Sequence, residues 1–297
     1  MSSIQISQID SELVPSPVEY SVLYPVNYKE RTEKYPLFLF LHGGGGNHTI
    51  LNTIKPIVVE LWKRKKLLDA IVVSPSCTRS FCMDFRDGTE QWESFLIKEF
   101  IPFLINKFPV NKQRIIIGGI SMGGLASLRL GFKYPDMFDA IVAFEPAIEP
   151  ALEWKDVKRE DKYYRSPDFL EKIFGTPFDI HYWKINNPMN ILKENSANIK
   201  KSGIKIYIEV GTEDFFGLYR GAEFLHQLLL NQKLKHEYRV VYGADHVGPS
   251  LEERFINGLS FLNRIYNPPE KDPKHLAFRA MMLKEKEKYL KDGDQDN

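Results

Sequence analysis

The amino-acid sequence predicts an α/β fold, a mostly parallel sheet with helices on both faces. Three observations point to it. Uninterrupted apolar runs of strand length recur along the chain, each is followed by a segment of helical pattern, and the turns leaving those runs are rich in glycine. An uninterrupted apolar run marks a strand buried on both faces, and strands alternating with helices imply parallel pairing.

Val18 to Tyr24 alternates as a strand should, and the residues before it, 1–17, read as an N-terminal extension. A charged turn from Lys29 to Lys34 leads to Tyr35-Pro-Leu-Phe-Leu-Phe-Leu41, a buried strand that ends in His42-Gly-Gly-Gly-Gly46-Asn47. Leu51 to Leu68 reads as a helix whose basic end, Lys63 to Lys66, complements its dipole. Asp69 to Pro75 is the next strand, Ser76 to Thr89 a polar loop, and Trp92 to Phe108 an amphipathic helix. Ile115 to Ile117 forms the heart of a strand, Leu125 to Leu130 of a helix, and Asp139 to Phe144 is another strand. The segment from about 145 to 202 is rich in Trp, Tyr, Pro and charge, and reads as a helical and loop insertion shaping a pocket. Ile204 to Val210 and Tyr238 to Tyr242 are strands, and Ala222 to Gln232 and Leu251 to Arg264 are helices. The main domain thus covers 18–266. Beyond it, 267–297 is charged, with a helix expected at His275 to Leu290 and disorder from Lys291 to Asn297.

Composition narrows the function. At 43% hydrophobic and 13% aromatic residues the chain can fill a large core. Lys and Arg number 40 against 39 Asp and Glu, which gives no electrostatic reason to expect nucleic acid or an anionic membrane as partner. No run approaches the ~18 apolar residues that span a bilayer, and the first residues lack the basic start and apolar core of a signal peptide. The two cysteines, Cys77 and Cys82, lie in the polar loop with no histidine at ligand spacing. They are expected as free thiols in a cytoplasmic protein, with a local disulfide as the alternative, and without a metal site. Nothing in the sequence specifies a partner surface.

The chemistry is expected at Gly119-Ile-Ser121-Met-Gly123, set between an apolar strand and a helix. This is the pattern of a nucleophile elbow. An abrupt strand-to-helix turn brings backbone against backbone, so glycines flank it, and the serine at the apex is pushed outward. A serine hydroxyl needs a base, and the base an orienting acid. His246, between glycines 243 and 248 after the last strand, is the expected base, and Asp214 the acid. Glu213 is the rival for the acid; Asp245 reads as solvated, and His42 as a structural part of the glycine loop. His42, Ser121, Asp214 and His246 each follow a strand, so they converge on the edge where ligands of parallel sheets bind. Backbone N–H groups of Met122 and Gly44, with Gly43 or Gly45 as register alternatives, are expected to form an oxyanion hole. A phosphate-binding reading of the glycine loop fails, because no Lys-Ser/Thr follows it. No cofactor is expected.

These motifs resemble those of the esterase D-like branch of the α/β-hydrolases. That branch includes feruloyl and small acyl esterases, S-formylglutathione hydrolases, enterochelin esterases and mycolyltransferases. The resemblance runs from about residue 18 to 265, through Leu41-His-Gly-x-x-Gly-Asn47, Ser80-Phe81, Trp92-Glu93, Ile120-Ser-Met-Gly-Gly124, Tyr134-Pro-Asp136, Asn187-Pro188, Gly211-x-x-Asp214 and Gly243-x-x-His246. It implies an α/β-hydrolase fold with Ser121 as nucleophile, His246 as base, Asp214 as orienting acid and Gly44 with Met122 as the hole. It implies hydrolysis of a small-molecule ester through an acyl-enzyme, with a thioesterase or acyltransferase on the same residues as the alternative, and a non-catalytic binding module behind those. The chain departs from the pattern at Cys82, where tyrosine is common, and at Phe144-Glu145-Pro146, where a small Ser-Gly pair is usual. The tail beyond 267 is extra.

Overall fold

A computed structural model describes residues 3–28 and 33–293. Eight strands form one sheet in the order β1-β2-β4-β3-β5-β6-β7-β8. They are β1 (Ile4–Ile9), β2 (Val18–Leu23), β3 (Tyr35–Leu41), β4 (Ile71–Pro75), β5 (Val110–Ile120), β6 (Ala140–Phe144), β7 (Lys205–Gly211) and β8 (Glu237–Val241). From β4 to β8 every pairing is parallel, while β1 and β2 add antiparallel at one edge. The segment read as an extension therefore holds a strand, β1, paired in register from Ile4 against Leu23 to Ile9 against Val18.

Both faces are covered, and side-chain alternation divides the core. In β3, Leu37, Leu39 and Leu41 join the larger apolar cluster on one face. Phe38 and Phe40 join the smaller cluster on the other. Helix α1 (Ile50–Lys63) and helix α9 (Leu251–Tyr266) pack on that smaller face. Between β4 and β5 the chain forms α2 (Trp92–Ser94), one π-helical segment (Phe95–Phe100) and α3 (Ile101–Lys107), where the sequence predicts a single helix. Helix α4 (Met122–Lys133) leaves β5 at Ser121 and is buried almost throughout.

Within 145–202 no strand forms. The segment holds two short 3-10 turns, then α5 (Pro167–Phe174), α6 (Ile180–Asn186) and α7 (Pro188–Ser202). Its aromatics mostly pack on one another: Trp154 meets Phe178 and Trp183, and Phe174 meets Phe178 and Tyr182. Helix α8 (Tyr219–Asn231) follows β7. Helix α10 (Pro273–Gly293) is exposed along its described side chains and runs past the expected end at Leu290. The rest of the tail expected to be disordered, 294–297, and most of the charged turn, 29–32, lie outside the described residues.

Candidate active site

The elbow is as crowded as its glycines imply. A Cβ on Gly119 would lie 2.4 Å from the carbonyl oxygen of Leu41, and one on Gly123 only 2.1 Å from that same atom. No side chain fits at either position, since the obstacle is backbone. Ser121 sits between them at φ 57, ψ −114, a conformation that surrounding structure must enforce. Two hydrogen bonds do so: Ser121 N–H donates to Phe144 O at 2.9 Å, and Ala147 N–H donates to Ser121 O at 3.1 Å.

Ser121 and His246 line one cavity of about 650 Å³ at the carboxyl ends of the strands, with Gly43 to Gly46 and Met122. Among the described residues neither the Ser121 hydroxyl nor His246 Nε2 makes a hydrogen bond, so the hydroxyl and the imidazole face a shared space without being joined. Such bonds often tighten only when substrate closes the site.

The other ring nitrogen is fixed. His246 Nδ1 lies 2.8 Å from Asp214 Oδ2. Asp214 is buried and held in turn, its Oδ1 accepting the N–H of Phe216 at 2.7 Å. With Nδ1 hydrogen-bonded to a carboxylate, the proton belongs on Nδ1 and Nε2 keeps a free lone pair. The rival acid, Glu213, points to solvent. Asp245, expected to be solvated, instead ties the two loops together: its Oδ1 accepts from Phe215 N–H at 3.1 Å and from His246 N–H at 2.6 Å.

Backbone donors line the other side. Met122 is the first residue of α4, where an N–H has no acceptor within the helix. Gly43, Gly44 and Gly45 donate to no protein acceptor among the described residues. His42 anchors their loop: its Nδ1 lies 2.7 Å from Gly43 O, and its Nε2 accepts the N–H of Cys77 at 2.9 Å. Burial holds its pKa below the ordinary value, so it stays neutral in this role.

Other side chains complete the site without having been given a role of their own by the sequence. Phe81, Tyr164 and Phe216 bring aromatic surface to the cavity, Arg79 brings a guanidinium, and Glu145 with Arg254 forms a buried ion pair behind His246. Tyr164 carried a signal as one of the aromatics of the pocket-shaping segment, Phe81 as part of the Ser80-Phe81 motif, and Glu145 as a charged residue where small ones are usual. Glu145, Asp214 and His246 offer ligand atoms within 4.8 Å of one another, yet the guanidinium of Arg254 already supplies the positive charge there. Cys77 and Cys82 are free and buried rather than displayed in a polar loop.

The family model described as Putative esterase matches residues 11–259. An acetyl esterase from Caldicellulosiruptor saccharolyticus is 29% identical over 226 residues, which is 73% of this chain and 78% of that protein. A mouse (Mus musculus) S-formylglutathione hydrolase is 33% identical over 155 residues, covering 50% of this chain and 49% of that protein. A solved structure of a ferulic acid esterase superposes with a TM-score of 0.71 at 23% identity, covering 89% of this chain and 99% of the other. With its α/β-hydrolase sheet, its serine elbow and this match along most of its length, the chain belongs to the Putative esterase family and is a carboxylic-ester hydrolase.

Proposed function

We propose that this esterase works through a covalent acyl-enzyme formed on Ser121, with His246 as base and Asp214 as its orienting acid. One observation carries the reading: the elbow serine shares a cavity with an imidazole whose far nitrogen is bonded to a buried carboxylate. His246 takes the Ser121 proton as Oγ attacks the ester carbonyl, and Asp214 steadies the imidazolium. The N–H groups of Met122 and Gly44 receive the oxyanion, a contribution of about 3 kcal/mol each to the barrier. The proton then passes to the leaving alcohol, and water activated by His246 releases the acid.

The substrate is a small ester with an apolar or aryl group. Ile50, Phe81, Ile120, Phe216, Leu218 and Leu251 on the cavity wall support this, as do relatives named for acetyl and ferulic acid esters. A thioester substrate is the second reading, favoured by the mouse relative. p-Nitrophenyl esters of rising chain length, methyl ferulate and S-formylglutathione, assayed side by side, rank these substrates. A fluorophosphonate probe is expected to label Ser121, and S121A to lose both labelling and turnover. Undiminished turnover by S121A rejects the proposal.

A further inference from the structure

A second carboxylate stands beside the Asp214–His246 pair. Glu145 directly follows β6, and its side chain is fully enclosed. Its backbone lies at φ 44, a region that residues with a Cβ seldom enter and that persists only where neighbours impose it. Here the neighbours are identifiable. Glu145 N–H donates to Glu209 O at 2.8 Å, and its Oε1 accepts from Gly211 N–H at 3.0 Å and pairs with the Arg254 guanidinium. Arg254 is itself buried, and its Nη2 donates to the carbonyl of Asp245, the residue before His246, at 2.8 Å.

The remaining oxygen, Oε2, is shut away from solvent and accepts no hydrogen bond among the described residues. An unbonded carboxylate oxygen in a closed site is unfavourable, and least so where positive charge forms beside it. A carboxylate oxygen of Glu145, one of Asp214 and a ring nitrogen of His246 all lie within 4.8 Å of one another, so positive charge on the ring forms close to this carboxylate.

We infer that Glu145 is a positioning residue for the base, a second acid that stabilises the imidazolium of His246 through space while Asp214 does so through a hydrogen bond. The inference rests on the acyl-enzyme reading above. When the Ser121 O–H bond breaks, the proton moves to His246 Nε2 and the Oγ electron pair forms the bond to the carbonyl carbon. The charge left on the ring then lies beside two carboxylates. Arg254 fixes Glu145 from the Oε1 side, and the same guanidinium repels any metal ion from the cluster.

The test compares kcat and KM for p-nitrophenyl acetate in the wild type, S121A, D214N and D214N/E145Q, with thermal melts verifying that each is folded. D214N is expected to keep a kcat at least tenfold above that of D214N/E145Q at nearly unchanged KM, the ceiling being roughly a hundredfold for one charge about 5 Å away at an effective dielectric of ~20. A role confined to holding the loop would make Glu145 dispensable to the charge on the ring. Equal kcat in the two folded variants overturns the inference. Should E145Q prevent folding, E145G, which removes the same charge and suits the positive φ at this position, takes its place in the D214N background with the same two outcomes. Turnover surviving in S121A would instead reject the acyl-enzyme itself, a result separate from either.

Discussion

His42 and Gly123 illustrate how single residues prepare the site without touching substrate. Replacing His42 with Ala leaves the buried N–H of Cys77 without its acceptor, at a cost of about 2 kcal/mol. It also frees the glycine loop, so H42A is expected to lose both melting temperature and kcat. G123A forces a methyl group against the Leu41 carbonyl and should cost roughly 3 kcal/mol, read as a lower midpoint of chemical denaturation. Both roles were partly legible in the sequence. The glycine pattern announced a crowded turn, and the position of His42 before four glycines suggested a structural part. The partner of His42 was not legible, because Cys77 comes from another loop 35 residues away. The same holds for Arg254 and Glu145: two charged side chains look like surface residues until the fold encloses them together.

At the scale of elements, β3, β4, β6 and the second half of β5 were readable because burial on both faces leaves an apolar run, and β7 because its apolar residues recur along Ile204 to Val210. Strand β1 was not, since Ile4-Gln-Ile-Ser-Gln-Ile9 lies at an edge, half exposed, and its weak alternation resembles a polar leader. The π-helical segment was equally hidden, as nothing in local propensity distinguishes Phe95–Phe100 from ordinary helix. Helix α10 offers an element-scale prediction. Its described side chains are exposed, so it contributes little to the core. Truncation after Asn267 is expected to shift stability by about 0.5 kcal/mol or less and to leave kcat and KM unchanged. A large loss of either would mean that α10 docks on the domain.

For the whole molecule, buried ionisable groups set the response to pH. Burial holds His42 neutral in the fold, whereas the unfolded chain protonates it near pH 6.5. Stability therefore falls as pH drops below that value. Glu209 acts in the opposite sense: burial raises its pKa to about 7, so between its ordinary value near 4.5 and 7 the folded state holds a proton that the unfolded state has lost. Stability from this group declines as pH rises through that window. E209Q is thus expected to fall more steeply in melting temperature than the wild type between pH 7 and 5. At lower pH Glu93 dominates. Burial opposes its charge, but the guanidinium of Arg129 and the ammonium of Lys133 overcome this and hold its pKa to about 2. Its contribution is present above pH 4.5 and is lost as the pH falls toward 2, so E93Q should flatten the acid limb of the melting curve. The enclosed Cys77 and Cys82 have a further consequence. The hydrogen bond to Cys82 and burial both push the Cys77 thiol up, away from the reactive thiolate. Ellman's reagent can then reach sulfur only when the segment carrying them swings away, and the rate of colour development becomes a stopwatch for breathing of the wall beside Ser121.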